Sequence, residues 1–124
     1  MTTTMNITGN IPGIMVLPFH ISGQYTASAT GVVRFRMPFP CRVLSVSATA
    51  RASGGTSPTL TVDVQEGGTT ILSTPISVTA GTVSFGTITD NEIADEAIVT
   101  VNLAIGGTSP TWNDITVMLV LFIL

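Results

Sequence analysis

The chain has no lysine, one cysteine, one histidine, one tryptophan and one tyrosine in 124 residues, and charged residues make up only 9% of it. An ordinary soluble domain carries roughly 25% charged residues. The basic residues are Arg34, Arg36, Arg42 and Arg51, and the net charge is −3. Polyanion binding rests on clustered Lys and Arg, so nucleic acid is not an expected partner. The four arginines read as solvated or paired charges, although on a strand pair they could form a local patch. Cys41 stands alone, which excludes an intrachain disulfide and a disulfide-stapled secreted module. A buried, inert thiol is the ordinary expectation for it. The Thr-rich N-terminus lacks a positive region followed by an apolar run, so no signal peptide is expected. The longest apolar run, Val117–Leu124, falls far short of the about 20 residues a membrane helix needs, and no membrane partner is expected.

Residues for catalysis are equally scarce. A nucleophile–base pair would have to use His20, which sits among Pro18, Phe19 and Ile21 and reads as a packed or interface histidine. One His and one Cys cannot make a standard zinc site. Asp90, Glu92, Asp95 and Glu96 could offer oxygen ligands to calcium, but they lack EF-hand spacing and read as a solvated turn. No Gly-Lys-Ser/Thr phosphate cradle is present. The reading is therefore no enzyme, no catalytic residues, no metal and no cofactor. Asn6-Ile7-Thr8 matches a glycosylation sequon and, without a secretion signal, reads as chance. Trp112 and Tyr25 are the best candidates for stacking on a sugar or another ring, with a core or interface tryptophan as the competing reading.

What the chain does have is alternation of period two. Val33, Phe35 and Met37 alternate with Val32, Arg34 and Arg36. Leu44, Val46, Ala48 and Ala50 are assigned to one face of the next run, and Leu60, Val62 and Val64 to one face of another. Gly67-Gly68 supplies a tight hairpin turn. Shorter β segments follow at Ile76–Thr79 and Thr82–Ile88. An acidic connection, Asp90–Glu96, is long enough for one helical turn, and Val99, Val101 and Leu103 mark another strand. No stretch carries a helical period. About eight strands predict an all-β domain, an antiparallel β-sandwich of jelly-roll type. Core candidates are Val33, Phe35, Leu44, Val46, Leu60, Val62, Val99 and Val101. Residues 1–10 read as a polar N-terminal arm and residues 11–124 as a single domain, with an edge strand interrupted by proline over Ile11–Ser22.

Two features stand out. The hexapeptide Gly-Gly-Thr-Ser-Pro-Thr occurs at Gly54–Thr59 and again at Gly106–Thr111, each copy read as a loop between two strands. It is either a repeated strand-loop-strand unit or convergence on a convenient turn. The last strand is apolar on both faces. Ile115, Val117, Leu119, Leu121 and Ile123 occupy one, and Thr116, Met118, Val120, Phe122 and Leu124 the other. One face can fill the core, and the second needs another apolar partner. That partner is either a second copy of the chain, through Met118, Val120, Phe122 and Leu124, or the N-terminal segment.

From Gly31 onward, three stretches carry a family resemblance: TGVVRFRMPFPCRVLSVSATARA, GGTSPTLTVDVQEGGTTIL and DNEIADEAIVTVNLAIGGTSPTWNDITVMLVL. Together they resemble small phage virion jelly-roll proteins, namely capsid decoration (cement) proteins and related fibre-tip domains. The resemblance implies a homotrimer on the outer capsid surface of a virion assembled in the host cytoplasm, contacting the major capsid protein and stabilising adjacent capsid subunits. Thr2, Thr3, Thr4 and Asn6 of the arm would then touch the capsid. No fibre-stalk or coiled-coil pattern occurs within the 124 residues. The alternative implied is a phage tail or fibre-tip domain binding a host surface glycan or protein, with Trp112 and Tyr25 as anchors.

Overall fold

A computed structural model describes residues 13–124, all of them in strands and connections. Eight antiparallel strands form one hydrogen-bonded sheet. They are β1 (Ile14–Tyr25), β2 (Ala29–Arg36), β3 (Cys41–Glu66), β4 (Thr69–Thr70), β5 (Ile76–Ser77), β6 (Val83–Phe85), β7 (Glu92–Ile93) and β8 (Ile98–Ile123). The all-β expectation holds, and the eight-stranded antiparallel arrangement agrees with a sandwich or jelly roll. The expected arm, residues 1–10, lies outside the described residues.

The frame is the pairing of β3 with β8, which runs from Cys41 opposite Ile123 to Glu66 opposite Val99. At about 3.3 Å per residue, a straight 26-residue ribbon would span roughly 85 Å. A domain of this size has a radius of gyration near 13 Å. The ribbon must therefore bend for both halves to share one core, and they do share one. Val46, Ala48 and Ala50 from one half and Leu60, Val62 and Val64 from the other lie in the same buried cluster.

The bend falls at the repeated hexapeptide. The two copies are not loops between separate strands, as expected, but face each other inside a continuous ladder. Gly54 pairs with Thr111 and Thr59 with Gly106, and the register slips on either side of Thr56. The backbone repeats with the sequence: φ is 50° at Ser57 and 48° at Ser109, 94° at Gly55 and 112° at Gly107. Each glycine lies against the other copy's main chain. A Cβ on Gly107 would meet the Ser57 carbonyl oxygen at 2.6 Å, and one on Gly55 would run into the carbonyl oxygen of Ser109. Two bulged segments that interlock in this way let a long ribbon turn a corner without losing its pairing.

The short strands attach in a pattern that the corner's two-fold repeat explains. On one side, β2 pairs with β8, placing Val33 opposite Val101 and Phe35 opposite Val99. On the other, β6 pairs with β3, placing Val83 opposite Thr49 and Phe85 opposite Ser47. Thr49 and Val101 are 52 positions apart, as are the two hexapeptides, and Val33 and Val83 are 50 apart. The chain thus builds two related lobes, each an edge strand carrying Val-x-Phe laid on the other half's long strand. The hairpin at Gly67-Gly68 is as expected, with φ of 59° and 86° joining Glu66 to Thr69.

Three further expectations need correction. Leu44 is 49% exposed, because a bulge between Val43 and Ser45 moves Val43 into the core instead. Val33 and Phe35 are only half-buried, since they sit on an edge strand, where Phe35 stacks on Phe19 at 5.1 Å between ring centroids. Asp90–Glu96 forms no helical turn: Glu92 and Ile93 pair with Arg42 and Cys41 as a two-residue strand.

Candidate functional site

Alternation along β8 divides its side chains cleanly. Ile115, Val117, Leu119 and Leu121 are fully buried, while Met118, Phe122 and Leu124 are exposed. The outward residues lie in rows across four strands, because directly paired antiparallel residues share a face. One row is Phe85, Ser47, Met118 and Pro18. The next toward the corner is Val83, Thr49, Thr116 and His20, and the next away from it includes Ser45, Val120 and Val16. Phe85 is 70% exposed, Val83 57% and Val16 50%. Leu44 at the bulge and Leu124 just past β8 extend the same surface. Every large exposed hydrophobic among the described residues belongs to it. Between β6 and β8 it dips into an apolar groove of about 270 Å³, floored by Ser45 and Ser47 and walled by Phe85, Val83, Met118 and Val120.

β1 does not cover this face. It lies beside β8 in the plane of the sheet, with Val16 opposite Val120 and Pro18 opposite Met118, and so widens the apolar surface. Proline at an edge strand is where a missing N–H costs least.

Toward the corner the same face turns polar. Arg51 Nε donates to Asp114 Oδ2 at 2.6 Å, and the Gly23 N–H donates to Asp114 Oδ1 at 3.1 Å. The hydrogen bond from Arg51, then that from Gly23, holds the Asp114 carboxyl below its ordinary range. His20 Nδ1 lies 3.1 Å from Thr116 Oγ1. These side chains line an open, shallow concavity of about 530 Å³.

The remaining candidates fall elsewhere. Trp112 is 2% exposed, opposite Tyr25 on β1 and Ser53 on β3, so it offers no free face for stacking. Its Nε1 finds no acceptor among the described residues. Tyr25 is half-buried. Thr2, Thr3, Thr4 and Asn6 lie outside the described residues. Cys41 is buried, and its thiol is pushed up by loss of solvent and, less, by the charge on Glu66. Three arginines are paired: Arg36 with Glu96 at 3.9 Å, Arg42 with Glu92 at 3.2 Å and Arg51 with Asp114. The acidic turn therefore spends two of its carboxylates on arginines.

Val16, Leu44, Val83 and Phe85 escaped the sequence reading as surface residues. A signal for two of them existed. TGVVRF at 30–35 and AGTVSF at 80–85 are a second internal repeat, hidden because its offset differs by two residues from that of the hexapeptides.

No family model matches the chain, and no curated protein matches it. A solved structure does resemble it: a chain in the cyanophage Pam1 capsid asymmetric unit superposes with a TM-score of 0.53 at 18% sequence identity, over 98% of this chain and 94% of that one. At that identity the likeness is one of fold, and it extends over nearly the whole of both chains.

Proposed function

We propose that this chain is a structural protein of a phage particle: a decoration (cement) protein that binds the outer capsid surface as a homotrimer and ties adjacent capsid subunits together. The observation that carries the reading is the end-to-end fold likeness to a chain of a phage capsid asymmetric unit. The local sequence pattern separately resembles small phage virion jelly-roll proteins. A wide apolar sheet face on a chain with 9% charged residues fits a protein that works inside an assembly. Of the two anchors a glycan-binding tail tip would use on the sequence reading, Trp112 is buried and Tyr25 half-buried. The test is to mix the purified chain with undecorated particles of the phage that encodes it, sediment the particles and image them. Regular density over the shell supports the proposal. Density confined to the tail, or no association, refutes it.

A further inference from the structure

The two lobes bury the same motif differently. In one, Val33 lies in the row of Val101 and Val64 and Phe35 in the row of Val99 and Glu66; both are half-buried against the core, with Phe19 stacked on Phe35. In the other, Val83 and Phe85 occupy the equivalent places on β3, with the same register to the long strand, yet they are 57% and 70% exposed. The rows nearer the corner have changed character to match open solvent: the positions equivalent to Val101, Val64 and Val62 are Thr49, Thr116 and Asp114. Farther from the corner, Ser47 stands where the first lobe has Val99, and Met118 where it has Glu66. Phe85, Met118 and Val120 nevertheless put large apolar side chains around the groove, and Val83 flanks it from the row of Thr49 and Thr116. Apolar sheet surface of this extent that no described strand covers marks an interface.

We infer that a second copy of this chain covers the Val83–Phe85 face, with Phe85 and the adjoining groove at its centre. This rests on the proposed role as an assembly subunit and names the surface that role uses between copies. Three observations select a second copy as the occupant. In the other lobe, the cover over Val-x-Phe is this chain's own apolar sheet, through Phe19 of β1. The large hydrophobics of this face, 37–70% exposed, offer a surface on the order of the about 800 Å² per partner of a standard stable interface. The charges at its margin, Arg42 with Glu92 and Arg51 with Asp114, are already neutralised in pairs, so like surfaces meet without repulsion. Repetition of one contact around a closed ring then produces a homo-oligomer.

The test is the mass of the full chain by sedimentation equilibrium from 1 to 100 µM, for the wild type, Phe85→Asp, the milder Phe85→Thr, and Gln24→Asp as an exposed control outside the face. The wild type and Gln24→Asp should be oligomeric. Phe85→Asp should be monomeric, and Phe85→Thr should weaken association about 30-fold or more, the effect of losing one central hot-spot side chain. Far-UV circular dichroism of both Phe85 variants should keep the strand signal. Phe85→Thr keeps a good strand former should the charged variant misfold. A monomeric wild type overturns the inference, as does a folded Phe85→Thr with undiminished association. Capsid binding is read separately. A monomeric wild type that decorates particles, and loses that ability in Phe85→Thr, assigns the face to the capsid and overturns the inference while sparing the proposed function. An oligomer that ignores capsids does the reverse.

Discussion

Replacing Gly55 by alanine should cost far more than replacing Gly67, although both have positive φ. At Gly67 an added Cβ meets nothing within 4 Å, and φ is 59°, within the left-handed region. The cost there is the ordinary left-handed penalty of about 1–2 kcal/mol. At Gly55, φ is 94°, and the Cβ would lie 2.7 Å from the Thr108 carbonyl oxygen and closer still to that of Ser109. Both obstacles are main chain, so no side chain can swing aside. The corner has to open, which adds an overpacking cost of about 1–3 kcal/mol. The sum is roughly 2–5 kcal/mol, a large share of the 5–15 kcal/mol of a typical domain. Gly107→Ala should behave alike, since its Cβ would lie 2.6 Å from the Ser57 carbonyl oxygen. The double variant should cost less than the sum, because both changes open one corner. Urea unfolding at one fixed protein concentration measures this, with concentration held because association feeds into apparent stability. If Gly55→Ala lost no more than Gly67→Ala, the two hexapeptides would not be interlocked as described.

Leu119→Ala removes a fully buried side chain at the middle of β8 and should destabilise by about 2–5 kcal/mol in the same assay. Arg51→Ala should raise the Asp114 carboxyl toward its ordinary range, as read by carboxyl-carbon NMR titration. Because the folded-state pKa is depressed, the pair's contribution is present above the ordinary carboxylate pKa and lost as pH falls through the lower folded value. The variant should therefore show a shallower loss of stability across that acid window. Cys41 should react slowly with a thiol reagent at pH 8 in the folded protein and at the free-thiol rate in urea, since it is buried and its thiol is harder to ionise.

Much of the fold was legible in the sequence because alternation is a local property. Period two marked the strands, separated Ile115, Val117, Leu119 and Leu121 from Met118, Val120 and Phe122, and placed the Gly67-Gly68 turn. Leu44 was misassigned because one extra residue in a strand inverts the alternation beyond it, and only the partner strand reveals the bulge. The repeated hexapeptide was visible as a repeat, but its role was not. Whether two Gly-Gly-Thr-Ser-Pro-Thr segments end strands or carry a ribbon round a corner depends on their meeting across more than 50 residues of chain. The clearest division lies between Val33-Arg34-Phe35 and Val83-Ser84-Phe85. The local pattern marked both of them as β segments. Tertiary structure alone decided that the first would face the core and the second would face outward, because the burial of a sheet face is set by what the fold lays over it, and that covering comes from distant chain.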